Sequence, residues 1–129
     1  MLYFPRDGRR AIFWQCLVRN QYNFSHFPQA KRLEDTYHRL VAEKRTALII
    51  DCGGNIGLSA IWFAKEFPEA IIHVVEPDTA NIEILKLNVS FYGDRISILR
   101  GGVWNEPGYL EIINPDSGPS TFRGPGVWI

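Results

Sequence analysis

From residue 47 onward, the apolar positions of this chain fall in short unbroken runs separated by turns that carry glycine or acid. Ala47 to Ile50 is the first run, and an uninterrupted apolar segment of this kind predicts a parallel strand buried on both faces. It leads into Asp51-Cys52-Gly53-Gly54-Asn55-Ile56-Gly57, after which Leu58 to Phe67 takes a helical pattern that Pro68 stops. A second run, Ala70 to Val75, enters Glu76-Pro77-Asp78. Asp78 or Thr79 can cap a following helix whose apolar face is Ile82, Leu85 and Val89 and whose end Gly93 marks. Ile96 to Leu99 then predicts a third strand running into Gly101-Gly102-Val103-Trp104.

Alternation of strand and helix calls for parallel strands joined by right-handed crossovers. The expected class is therefore α/β, a Rossmann-like, doubly wound, mostly parallel sheet, of which about half is present. After the turn signal Asn105-Glu106-Pro107-Gly108, Tyr109 to Ile113 predicts one more short strand. Asn114 to Ile129 is rich in glycine, proline and serine and predicts no helix. Upstream, Leu33, Tyr37, Leu40 and Val41 recur at helical spacing within Pro28 to Lys44. The apolar stretch Ala11 to Val18 fits a helix or a strand equally well. Residues 1–46 thus read as an extension with one amphipathic helix (about 28–44), and 47–129 as an α/β cofactor-binding half-domain.

Composition adds bounds. The 129 residues are 46% hydrophobic and 22% charged, which suits a globular chain with one core and excludes a disordered or disulfide-stapled one. No apolar run approaches a membrane span, and Met1 to Asn20 lacks the cleavage site of a signal peptide, so a cytoplasmic protein is expected. In that setting Cys16 and Cys52 read as reduced thiols, with Cys52 packed, and the two N-x-S sequences at Asn23 and Asn88 carry no glycan. Net charge is zero, but residues 1–46 hold nine basic against four acidic side chains. Without an RNA-binding motif or a sustained basic run, that surplus reads as a solvated helix rather than a nucleic-acid face. His26, His38 and His73 match no metal spacing, so no metal is expected. Trp14, Tyr22, Phe24 and Phe27 read as a cover over the sheet, with an acceptor pocket as the alternative.

The chemistry concentrates in Asp51 to Gly57. A glycine turn between a buried strand and a helix lets a ligand approach the backbone, and the helix start offers N–H groups to it. Glu76 ends the next strand, where an acid can accept hydrogen bonds from both hydroxyls of a ribose. Together they predict a site for an adenosine-type cofactor. The spacing D-x-G-x-N-x-G differs from the G-x-G-x-x-G of dinucleotide sites, and Asp51 would repel a pyrophosphate but suit a cation.

The runs Ile50 to Gly57, Trp62-Phe63-Ala64-Lys65, Phe67-Pro68 and Val75 to Asp78, with Gly102 to Asn105 and Gly108 to Glu111, resemble the FkbM-type methyltransferases. These belong to the class I S-adenosylmethionine-dependent group, and the resemblance spans about residues 47–113. It implies S-adenosyl-L-methionine as cofactor, with Asp51, Gly53, Gly54, Asn55 and Gly57 along its methionine and ribose parts. It implies that Glu76 holds the ribose, that Pro77 and Asp78 lie beside the adenine, and that Gly102 and Val103 flank it. The implied activity is O-methylation of a small-molecule or sugar hydroxyl. The alternatives are a binding module without turnover and, behind it, a nucleic-acid methyltransferase. The acidic segment that this family carries on its next strand does not follow Ile113. Either the chain is a piece of a longer one, or another copy completes the sheet through an open edge.

Overall fold

A computed structural model of the protein describes residues 2, 3, 19, 21–105 and 108, together with the backbone of 123–124 and 127–128. Helix α1 (Ala30–Ala42) comes first, followed by β1 (Leu48–Cys52), α2 (Leu58–Glu66), β2 (Ile71–Glu76), α3 (Thr79–Val89) and β3 (Ile96–Arg100). Further on, β4 (Arg123–Gly124) pairs antiparallel with β5 (Val127–Trp128). Strands β1, β2 and β3 form one parallel sheet in that spatial order. This is the α/β class that the alternating pattern predicts. The expected strand at Tyr109 to Ile113, and the segment Ala11 to Val18 with Trp14 and Cys16, lie outside the described residues.

The main core lies between the sheet and its two crossover helices. Ile72 and Val74 of β2 and Ile96 of β3 meet Ile56, Leu58, Ala60, Ile61 and Ala64 from the turn and α2, and Leu85 and Val89 from α3. Full burial of a side chain such as Leu85 or Ile72 contributes about 1.5–3 kcal/mol. Helix α2 is buried nearly all round, because the sheet and α3 cover one side and an aromatic layer the other. In that layer Phe24 stacks on Phe67 at 5.9 Å, Tyr22 lies 5.8 Å from Phe63, and Tyr37 of α1 meets Phe67 edge-on at 5.0 Å. Tyr22 and Phe24 therefore cover α2, and Phe24 with Tyr37 also lines an apolar cavity at the amino end of β1, away from the carboxyl ends of the strands. Phe27 is exposed, with its ring against that of His26.

One expectation fails. Leu48 and Ile50 of β1 are 55% and 60% exposed, and Leu99 of β3 is 63% exposed. Strand side chains alternate between faces. Ile49, Asp51, Ile72, Val74 and Glu76 point toward α2 and α3, whereas Leu48, Ile50, Cys52, His73, Ser97 and Leu99 point the other way. Both crossovers proceed in the same direction along the sheet, so both helices land on one face. Among the described residues the sheet is therefore apolar on both faces but covered by helices on only one. Cys52, expected to be packed, is exposed for the same reason. On this open face the His73 ring and the Ser97 hydroxyl, side by side on β2 and β3, are hydrogen-bonded.

Two side chains tie distant parts together. The Arg95 guanidinium donates to the carbonyls of Ala64, Phe67 and Ala70, fastening the end of α2 and the approach to β2. The Asn88 amide accepts from Tyr3 N–H at 2.6 Å and donates to the carbonyls of Tyr3 at 3.1 Å and Ile56 at 2.8 Å.

Candidate functional site

The carboxyl ends of β1, β2 and β3 bring together Asp51 to Gly57, Glu76 to Asp78 and Gly101 to Val103. Gly57 starts α2 at φ +87, and a Cβ there would sit 3.1 Å from Val89 and 3.2 Å from Leu85. Gly54 is more confined, since its Cβ would fall 2.0 Å from Cγ1 of Val74. Only glycine lets the turn lie this close to β2. Gly53 (φ +90) and Gly101 face outward instead, and a Cβ on either would meet open space. The two glycines thus leave room at the carboxyl ends of β1 and β3, on either side of β2.

The expected backbone cradle is largely spent within the protein. Gly53 and Gly54 both donate to the Val75 carbonyl, at 2.8 and 3.1 Å, and Gly57 donates to Gly54 at 2.7 Å. Asn55, held at φ +48, donates its N–H to Oε2 of Glu76 at 2.8 Å. The turn is thus stitched to β2 by its own amides. These four N–H groups are therefore spent, whereas the first turn of α2 still has N–H groups to offer a ligand.

Glu76 is 3% exposed and forms a hub. Besides Asn55, its Oε1 accepts from Asp78 N–H at 2.9 Å and from Asn81 Nδ2 at 3.2 Å. A carboxylate offers about four lone-pair positions, so about one acceptor position remains, on Oε2. Asp78 is occupied as the N-cap of α3, its Oδ1 accepting from Ala80 N–H at 2.7 Å. Pro77 is half-buried between Glu76 and Asp78, and Gly102 and Val103 lie on the coil beyond β3, with Val103 exposed. The Gly101 N–H donates to the Glu76 carbonyl at 3.2 Å, which draws that coil toward β2.

Asp51 is 8% exposed, and its Oδ2 accepts from the Ser59 hydroxyl at 2.6 Å. Burial pushes its carboxyl above the usual value of 3.8; the Ser59 bond opposes this, and the charge of Glu76 adds to it. The two acids thus share one strand-end region, where they favour a cation and disfavour a phosphate. Ser59 and Asn81 are polar groups of this region that no sequence motif singles out, and Asn88, noted in the sequence only for its N-x-S pattern, is a third. Among the described residues no cluster of His, Cys, Asp and Glu could hold a metal, and no helix is long and apolar enough to cross a membrane.

No protein-family model matches the chain, and no curated protein matches it in sequence. Two solved structures share parts of its arrangement. One is a protein named as a caffeoyl-CoA O-methyltransferase, from Staphylococcus aureus, at 17% identity and TM-score 0.41, covering 73% of this chain and 50% of that one. The other is a methyltransferase from Geobacter sulfurreducens at 20% identity and TM-score 0.40, covering 77% of this chain and 52% of that one. The chain spans about half the length of each. A likeness of this extent assigns neither family nor activity.

Proposed function

We propose that the described domain is the cofactor half of an S-adenosylmethionine-dependent methyltransferase of the FkbM type, acting on a hydroxyl of a small molecule or sugar. The observation that carries this reading is the contact between Glu76, at the end of β2, and the glycine turn that follows β1. That contact sets an acid with an acceptor position left over beside a turn whose Gly53 opens onto free space. The donor set suits the group: two carboxylates answer a ligand carrying an ammonium and a sulfonium, and Glu76 can accept from a ribose hydroxyl. Asp51 lies toward the cationic end, while Pro77, Asp78, Gly102 and Val103 border the base. Bound S-adenosylmethionine supplies an electrophilic methyl group. The chain's part is to bind and orient it, which for methyl transfer is the larger share of the work.

A second reading is a binding module without turnover; it is favoured by a sheet that, among the described residues, leaves the outer edge of β1 unpaired and one face without helices.

The test is calorimetric titration with S-adenosylhomocysteine, with NAD as control. Saturable binding of the first alone is expected. Glu76→Gln, whose oxygen can keep the bonds from Asp78 and Asn81 while its NH2 faces the Asn55 N–H, is expected to weaken that binding tenfold or more, the effect of losing a hydrogen bond to a charged group. Glu76→Ala also strips Asn55, Asp78 and Asn81 of their partner and so lowers stability, which makes it the less informative variant. Equal affinity in wild type and Glu76→Gln would remove the ribose role.

A further inference from the structure

Ser59 belongs to no motif, yet it is buried in the first turn of α2 with its hydroxyl on the Asp51 carboxylate at 2.6 Å. Nothing in the packing of α2 calls for a hydroxyl there, since its neighbours Leu58, Ala60 and Ile61 are all apolar and buried. What the hydroxyl does is donate to a carboxylate that the fold otherwise makes costly to ionise. Around Asp51, α2 contributes Ser59 and β2 contributes Glu76, a like charge. Beyond Glu76 stand Asp78 before α3 and Arg100, its register partner at the end of β3. The Ser59 bond favours the ionised form, against burial and the charge of Glu76. A hydrogen bond to the charged form of an acid stabilises that form.

We propose that Ser59 is a positioning residue that keeps Asp51 ionised and so sets the acid limit of the pH range over which the strand-end site takes a cationic ligand. The inference rests on the cofactor reading above for the identity of that ligand. The coupling between Ser59 and Asp51 does not depend on it. Without the hydroxyl, Asp51 takes up its proton at a higher pH. In the interval between the two midpoints the variant presents a neutral acid where the wild type presents a charge. A purely structural role would weaken binding evenly at every pH.

The test uses the full chain and two readouts. The first follows the Asp51 carboxyl carbon by NMR through a pH titration of wild type, Ser59→Ala and Ser59→Thr. The midpoint is expected to move to higher pH in Ser59→Ala and to return in Ser59→Thr. The second measures S-adenosylhomocysteine affinity across the same pH range. In Ser59→Ala the affinity is expected to fall about tenfold on the acid side and to match wild type on the alkaline side. Should Ser59→Ala fail to fold, Ser59→Cys replaces the hydroxyl by a weak donor of similar size and carries the same comparison. An unmoved Asp51 midpoint, or an affinity loss uniform in pH, overturns the proposal. A moved midpoint with no S-adenosylhomocysteine binding in any protein overturns the cofactor reading instead.

Discussion

Replacing Gly54 by alanine tests whether the close approach of the turn to β2 is as tight as the geometry indicates. The added Cβ would lie 2.0 Å from Cγ1 of Val74 and 3.4 Å from Cδ1 of Leu85, both on fully buried side chains. A carbon pair in ordinary contact sits about 3.5–4.0 Å apart, so roughly 1.5 Å must be found by moving one of the two. Val74 is β-branched and stiff at χ1, and it is held in the middle strand between Asp51 and Ile98. The turn cannot retreat freely either, because Gly54 N–H is bonded to Val75 and its carbonyl to Gly57. Overpacking of this kind costs about 1–3 kcal/mol and can exceed that range. The expected loss is at the upper end, about 3 kcal/mol. Denaturant unfolding of wild type, Gly54→Ala, Val74→Ala and the double variant reads it directly. Val74→Ala alone leaves a cavity and destabilises. Combined with Gly54→Ala it removes the clashing methyl, so the pair should couple favourably by about 1–3 kcal/mol. A single variant within 0.5 kcal/mol of wild type, or a double variant whose losses simply add, would refute the reasoning.

Two further outcomes follow from burial and exposure. Because burial raises the Asp51 carboxyl above 3.8, the folded chain holds that proton more tightly than the unfolded one, and this contribution to stability is lost as pH rises. Asp51→Asn, whose amide oxygen can still accept from Ser59, should therefore raise Tm at pH 7, with the gain shrinking as the medium is acidified toward pH 3.8; an equal gain at all pH values would count against the assignment. Cys52 is exposed on the face away from α2 and α3, so in native conditions it should react with a disulfide reagent about as fast as a small exposed thiol, and full protection until unfolding would show that face to be covered.

The three strands, both crossover helices and the Asp78 cap were legible because each is written in local pattern. Apolar runs, a capping acid and glycines at turn positions need only near neighbours. The misreading at Leu48 and Ile50 has a clear cause. An apolar run reports that a strand avoids water, but not which neighbour shields each face, and that is decided by where the crossovers run. The glycine turn shows the same divide. Its composition announced a close approach, yet the partner of its amides is the Val75 carbonyl, which is supplied only once β2 lies beside β1. Glu76 was recognisable as a strand-end acid. Its engagement with Asn55, Asp78 and Asn81 follows from tertiary proximity, which spacing along the chain does not encode.

The tie between Tyr3 and Asn88 spans 85 positions and also reaches the Ile56 carbonyl beside the glycine turn. During synthesis at about 5–20 residues per second, Tyr3 leaves the ribosome roughly 4–17 s before its partner does. Until then the early segment has no Asn88 to dock on, although β1 and β2 have already been made. A chaperone or a fused tag that holds the region around Tyr3 in that interval would therefore be felt at the far end of the chain's history, as a delay in locking the turn that follows β1.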